Sequence, residues 1–113
     1  MSQRLRVLVV DDSAFARKVL REVLATSADL EVVGTARDGL EALEKIAELA
    51  PDVVTLDLVM PNLDGLGLMR ELPAGAGPSV VVVSVSDEES ELVVEALALG
   101  AYDFIRKPTS LAT

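Results

Sequence analysis

The chain has 113 residues, of which 50% are hydrophobic and only 3% aromatic, so we expect one domain with an aliphatic core. Its net charge of −9 argues against direct binding to nucleic acid or to an anionic membrane surface. Cys and His are both absent, which excludes disulfides, thiolate zinc sites and a Ser-His-Asp triad, and leaves oxygen ligands of the kind that Mg²⁺, Mn²⁺ and Ca²⁺ prefer.

The first half of the chain predicts two strands and two helices in alternation. The strands are apolar runs of the kind found in parallel strands that are covered on both faces. The helices place apolar residues three or four positions apart, and Ser13 and Asp38 stand where these helices need N-caps. In chain order the elements are a strand Leu5–Val10, a helix Ser13–Ala25, a strand Leu30–Ala36 and a helix Gly39–Ala50.

The second half continues the alternation and determines the fold class. Its elements are a strand Val53–Leu56, a helix Asp64–Leu72, a strand Val80–Val83, a helix Glu88–Leu99 and a strand Ala101–Ile105. Such alternation gives a parallel sheet with right-handed crossovers and helices on both faces. We therefore predict an α/β fold with a flavodoxin-like, doubly wound sheet of five parallel strands in the order 2-1-3-4-5.

Polar residues follow four of the five predicted strands. Asp11 and Asp12 follow the first strand, Asp57 the third, Ser84 the fourth and Lys107 the fifth. The carboxyl ends of parallel strands meet at one edge of the sheet, where ligands of such folds bind. Carboxylates that converge there repel one another, so the site needs raised pKa values, a divalent cation or a lysine.

Four segments resemble the receiver domains of two-component response regulators. They are Val9–Ser13 (VVDDS), Leu56–Gly65 (LDLVMPNLDG), Val82–Ser84 (VVS) and Gly100–Pro108 (GAYDFIRKP). Each is weakly specific alone, but together they span nearly the whole chain in the family's order. Within this family, the amino-acid sequence around the third and fifth strands is most similar to that of the chemotaxis methylesterase regulators.

The resemblance implies a phosphoacceptor and a metal site at matching positions. Asp57 matches the phosphoacceptor, and Asp11 and Asp12 match the acidic pair that organises Mg²⁺, for which Mn²⁺ is an alternative. The direct ligands would be Asp12, Asp57 and the backbone carbonyl of Val59.

The resemblance also implies a conformational switch. Ser84 matches the switch hydroxyl, and Phe104 stands at the switch aromatic, where many receivers have Tyr. Lys107 matches the phosphate-binding lysine, and a cis peptide bond is expected between Lys107 and Pro108. Val85 follows Ser84 at a position where small residues are usual, which would restrict access of the phosphoryl group.

The function implied is that of a phosphoacceptor signalling switch. A sensor histidine kinase would supply the phosphoryl group to Asp57 in a Mg²⁺-dependent step, slow autodephosphorylation would reset the switch, and an attached or partner output would respond. Such a domain acts on itself and does not turn over a separate substrate. The alternative is a small-molecule phosphohydrolase or phosphotransferase with an Asp nucleophile, but those enzymes usually need a second carboxylate where Val59 stands. Val7–Val10 is too short for a signal-peptide core, so we expect a cytoplasmic location.

The end of the sequence carries one further expectation. Receivers normally close with a fifth helix, and Thr109–Thr113 are too few to form it, so residues 1–113 are expected to be a single receiver domain truncated after the fifth strand. The strands Val80–Val83 and Ala101–Ile105 would then expose an uncharged aliphatic face. We therefore expect the chain to self-associate, for example as a homodimer through that face, to swap an element, or to be markedly less stable than a chain extended through a fifth helix.

Overall fold

The computed structural model describes residues 3–73, 76–84 and 90–107, in which strands and helices alternate as predicted. The first three strands begin and end at the predicted residues. The elements are β1 (Leu5–Val10), α1 (Ala14–Leu24), β2 (Leu30–Ala36), α2 (Gly39–Leu49), β3 (Val53–Leu56), α3 (Gly65–Glu71), β4 (Ser79–Ser84), α4 (Ser90–Ala98) and β5 (Asp103–Arg106).

The five strands form one parallel sheet in the order β2-β1-β3-β4-β5, which confirms the predicted flavodoxin-like topology. Helices α2, α3 and α4 pack side by side on one face, and α1 packs against β1 and β2. In β1 the side chains of Val7, Leu8, Val9 and Val10 are all buried. A central strand that is covered on both faces has no need of polar alternation, which is why its sequence is a continuous apolar run.

The main core lies between the sheet and the three helices α2, α3 and α4. It is aliphatic throughout, as the scarcity of aromatic residues predicts. Its strand members alternate along the sequence, so that Leu8 and Val10 of β1 and Val54 and Leu56 of β3 point to the same side.

Side-chain caps begin the helices that follow β1 and β2. The Ser13 hydroxyl accepts a hydrogen bond from the N–H of Ala16 at 3.1 Å, and Asp38 accepts one from the N–H of Glu41 at 2.8 Å. Both predicted N-caps are therefore confirmed. None of the helices in the described ranges combines the length and the apolar character that a membrane span requires.

The fifth strand differs from its prediction in position and in charge. It begins at Asp103 and not at Ala101, and Asp103 pairs with Val81 of β4. Paired residues of neighbouring parallel strands share a face, and Val82 of β4 belongs to the core on the opposite side. The face that holds Val81 and Ile105 therefore carries a carboxylate, so the prediction that it is uncharged is wrong. No helix of the described residues follows β5, and the predicted short tail, residues 109–113, lies outside them.

Candidate functional site

Three carboxylates meet at the carboxyl edge of the sheet. Asp11, Asp12 and Asp57 each place one carboxylate oxygen within 4.8 Å of the other two. Backbone hydrogen bonds continue the sheet into this edge, because the N–H of Asp57 donates to the carbonyl of Val10 at 3.0 Å and the N–H of Asp11 to that of Ala36 at 3.0 Å. Asp11 and Asp57 are buried and Asp12 is exposed, so the cluster opens to solvent on the side of Asp12.

Lys107 supplies the compensating positive charge. Its side chain is buried, with the residue only 5% exposed, and Nζ lies 2.5 Å from Asp11 Oδ2 and 3.7 Å from Asp57 Oδ2. Lys107 is therefore not an ordinary solvated surface lysine. A charged side chain is buried only where partners compensate the loss of hydration, and here two carboxylates do so. One ammonium nevertheless faces a cluster of three carboxyl groups, so it cannot balance their charge when all three are ionised.

The buried position of Asp57 changes its acidity. Burial raises the pKa of Asp57 to about 7, the ammonium of Lys107 opposes this rise, and the charge of Asp11 adds to it. The N–H of Val59, which donates to Asp57 Oδ1 at 3.3 Å, favours the ionised form and so lowers the pKa. Without a bound cation, burial therefore favours the protonated form of Asp57.

The acidity of Asp57 predicts how stability depends on pH. The folded state binds this proton more tightly than the unfolded chain, in which the carboxyl has its ordinary pKa of 3.8. The contribution of Asp57 to the free energy of unfolding should therefore fall as the pH rises from about 4 to about 7, on the order of a few kcal/mol, and level off above. Urea unfolding in EDTA, followed by circular dichroism at several pH values, measures this slope. Asp57→Asn should flatten it, and an unchanged slope in that variant would contradict the assignment.

The donor set fits a hard divalent cation. The Asp11 carboxylate already accepts a hydrogen bond from the N–H of Ser13 at 2.9 Å through Oδ1 and pairs with Lys107 through Oδ2, so both of its oxygens are engaged by the protein. Asp57 is held less tightly, since the N–H of Val59 is 3.3 Å from its Oδ1 and the ammonium of Lys107 is 3.7 Å from its Oδ2, and Asp12 is exposed. Oxygen donors alone are what Mg²⁺ and Mn²⁺ prefer. The cluster could therefore hold such an ion through Asp12 and Asp57, with Asp11 supporting it.

The residues of the implied switch are described only in part. Ser84 is the last residue of β4, at the same edge as the carboxylates, but its side chain lies outside the described residues. Val85 and Pro108 also lie outside them, and with Pro108 the expected cis peptide bond after Lys107. Phe104 pairs with Val82, so it lies on the sheet face that α4 covers. Its side chain is nevertheless 43% exposed.

Two contacts around the site were not predicted from the sequence. The guanidinium of Arg17 donates to the backbone carbonyl of Asp11 at 2.8 Å and so holds the turn that carries the acidic pair. The amide of Asn62 donates to Asp38 at 2.7 Å. The position of Arg17 in the first turns of the helix after Asp11 is a weak signal for the first contact, whereas 24 residues separate the members of the second.

Comparisons with known proteins agree with this geometry. The chain is similar to protein-glutamate methylesterase/protein-glutamine glutaminase 5 of Myxococcus xanthus, with 68% identity over 110 residues that cover 96% of this chain and 32% of the relative. The chain spans about 30% of the length of the curated relatives it matches.

Two solved structures have the same fold. The response regulator domain of Thermotoga maritima CheB has a TM-score of 0.86 and 48% identity, and the match covers 94% of this chain and 80% of that one. A chain of the CheX-CheY-BeF3-Mg+2 complex from Borrelia burgdorferi has a TM-score of 0.81 and 35% identity, with 97% and 83% covered. The family model of the response regulator receiver domain matches residues 7–113. By its sequence and by the arrangement of its strand ends, the chain belongs to the response regulator receiver domains.

Proposed function

We propose that this receiver domain is a switch whose phosphoacceptor is Asp57. The observation that carries the proposal is the meeting of one buried carboxylate, a buried ammonium and two further carboxylates at one edge of the sheet. In the reaction, an oxygen of Asp57 attacks phosphorus, the bond between phosphorus and the kinase's histidine nitrogen breaks, and that nitrogen leaves with the electron pair. The product on this chain is an acyl phosphate.

The surrounding residues have distinct tasks in this proposal. Asp12, Asp57 and the carbonyl of Val59 would hold Mg²⁺, with Mn²⁺ as the alternative, and Asp11 would orient the site. When bound, the cation neutralises charge that develops on the phosphoryl oxygens. Lys107 offers its ammonium to the same oxygens from inside the protein. Proximity to Asp57 is the support for this role, since the two side chains are 3.7 Å apart.

Reset and readout complete the switch. Attack of water on phosphorus would release phosphate and regenerate the Asp57 carboxylate. While phosphorylated, the site would attract the hydroxyl of Ser84, and Phe104 would move into the space that Ser84 vacates. Support for this step is the placement of Ser84 at the end of β4 and of Phe104 on the neighbouring strand.

The similar proteins suggest which output the switch controls. Relatives named as protein-glutamate methylesterases match this chain over about a third of their length. We infer that the domain regulates a methylesterase in chemotaxis, in the cytoplasm, with a sensor histidine kinase as phosphodonor. Neither nucleic acid nor a membrane is a direct partner in this proposal. The alternative of a small-molecule phosphohydrolase is less well supported, because Val59 stands where such enzymes usually have their second carboxylate.

A direct experiment tests the phosphoacceptor function. Incubation with a small phosphodonor and Mg²⁺ should add one phosphoryl group to the chain, measured by intact mass, and hydroxylamine should remove it because acyl phosphates react with that nucleophile. No gain of mass at saturating donor and Mg²⁺ would contradict the proposal.

The proposed homodimer concerns the sheet face that holds Val81 and Ile105. Ile105 is 57% exposed, and burial of such apolar side chains favours association, although Asp103 on the same face opposes it. Sedimentation velocity over a dilution series should show a concentration-dependent dimer. Ile105→Asp should give a monomer, and a wild-type chain that stays monomeric at every concentration would contradict this prediction.

A further inference from the structure

The loop after β3, residues 57–64, is tied to the start of α2 by a side-chain contact and a backbone contact. One oxygen of the buried Asp38 carboxylate caps α2, and the other accepts a hydrogen bond from the amide of Asn62 at 2.7 Å. Beside this contact, the N–H of Gly39 donates to the carbonyl of Leu63 at 2.8 Å. Asn62 and Leu63 of the loop thus hold the two residues at the start of α2, Asp38 and Gly39.

Local geometry specifies both sides of this tie. A Cβ atom at position 39 would lie 2.4 Å from the carbonyl oxygen of Leu63, so no residue larger than Gly39 fits against the loop. Asn62 has a φ of 66°, in the left-handed region that Asn adopts more readily than most residues. The loop therefore follows a path that these residues determine together.

The chemistry of Asp38 indicates a task besides capping. Serine or threonine can cap a helix without a buried charge, and burial of a carboxylate carries a cost in hydration. No ion pair to Asp38 is present among the described residues, and its hydrogen bonds with Glu41 and Asn62 lower the pKa of this carboxyl. One carboxylate oxygen of Asp38 caps α2 and the second accepts from Asn62. A serine has a single side-chain oxygen, so it could cap the helix but not make this second contact as well.

The other end of the same loop belongs to the functional site. It begins with Asp57, whose carboxylate accepts a hydrogen bond from the N–H of Val59. The loop then closes on itself, because the N–H of Gly65 donates to the carbonyl of Leu58 at 3.1 Å. A loop held at both ends presents its carbonyl groups in one arrangement, and a ligand then need not order the loop as it binds.

We propose that Asp38 and Asn62 are positioning residues for the cation site, which they preorganise by holding the loop that contains Asp57 and Val59. This inference rests on the proposed function, since it assumes that Mg²⁺ binds there. Its consequence is that a side-chain contact outside the carboxylate cluster contributes to Mg²⁺ affinity.

Four variants separate positioning from folding. Asn62→Gly removes the amide and keeps the left-handed backbone accessible, and Asp38→Ser keeps a cap for α2 but has no second oxygen for the amide of Asn62. The double variant D38N/N62D restores a donor and an acceptor in exchanged positions at unchanged net charge. Asp64→Asn is the matched control, because it also removes one negative charge from the same loop, while Asp64 caps α3 and the Asp38 side chain hydrogen-bonds with Glu41 and Asn62 instead.

Mg²⁺ binding by titration calorimetry, with melting in EDTA measured in parallel, tests the proposal. Asn62→Gly and Asp38→Ser should each weaken Mg²⁺ binding about 10-fold, as changes to residues that orient metal ligands do. D38N/N62D should recover most of the affinity, and Asp64→Asn should bind as the wild type does. Wild-type affinity in both single variants, with or without a lower melting temperature, would overturn the positioning role. A wild-type chain that binds no Mg²⁺ would instead overturn the metal site itself.

Discussion

Asp57→Asn is expected to take up no phosphoryl group from a small phosphodonor under conditions in which the wild type is fully labelled. The amide keeps the shape of the carboxylate and can still accept from the N–H of Val59, so the local fold should remain. An amide oxygen carries no negative charge with which to attack phosphorus, so the covalent step is lost. Removal of a buried carboxylate should also stabilise the metal-free protein above pH 7, where the wild type has ionised Asp57 beside Asp11.

Intact mass, followed by peptide mapping, measures the labelling. Asp29→Asn is a suitable control, because Asp29 is exposed in the turn before β2, away from the carboxyl edge of the sheet. It should be labelled as the wild type is. A gain of mass in Asp57→Asn at the wild-type rate, or a wild-type label that maps to another residue, would show that Asp57 is not the acceptor.

Lys107→Met is expected to destabilise the metal-free protein by about 3 kcal/mol at pH 8, because it leaves two buried carboxylates without their counterion. The methionine side chain fills most of the same volume, so the change isolates the charge. The loss should be smaller at acidic pH, where Asp57 is protonated, and smaller in Mg²⁺, which replaces part of the positive charge. This outcome would show that lysine at this position contributes to folding, besides the role proposed for it in the phosphorylated state.

Chemical denaturation at pH 5 and pH 8, each with EDTA and with Mg²⁺, measures these differences. Lys18→Met is the matched control, since Lys18 is exposed on α1 and its loss should change stability little. Equal destabilisation of Lys107→Met under all four conditions would indicate lost packing and would contradict the electrostatic explanation.

The fold was predictable wherever apolar runs are bounded by polar residues. Leu5–Val10 and Val53–Leu56 end at aspartates, and their limits follow from that contrast. The predicted start of the fifth strand, Ala101, was wrong because this apolar residue belongs to the end of α4 and not to a strand. Its N–H donates to the carbonyl of Ala96 and closes α4, so hydrophobicity alone could not locate the start of β5.

The site was predictable in its members but not in its contacts. The topology brings strand ends together, and the sequence shows that they carry Asp11, Asp57 and Lys107. Which carboxylate lies nearer to the ammonium depends on side-chain conformations in the buried site, and the structure gives 2.5 Å to Asp11 against 3.7 Å to Asp57. The contact between Asp38 and Asn62 depends on two turns that no local pattern relates.

The position of β5 at the end of the sheet has a consequence for aggregation. An edge strand offers backbone groups to which a foreign strand can add, and β5 also exposes Phe104 and Ile105. This strand is only four residues long, and Asp103 and Arg106 place opposite charges at its two ends. An incoming strand would gain few ladder hydrogen bonds and would have to accommodate both charges, so uncontrolled strand addition at this edge is disfavoured.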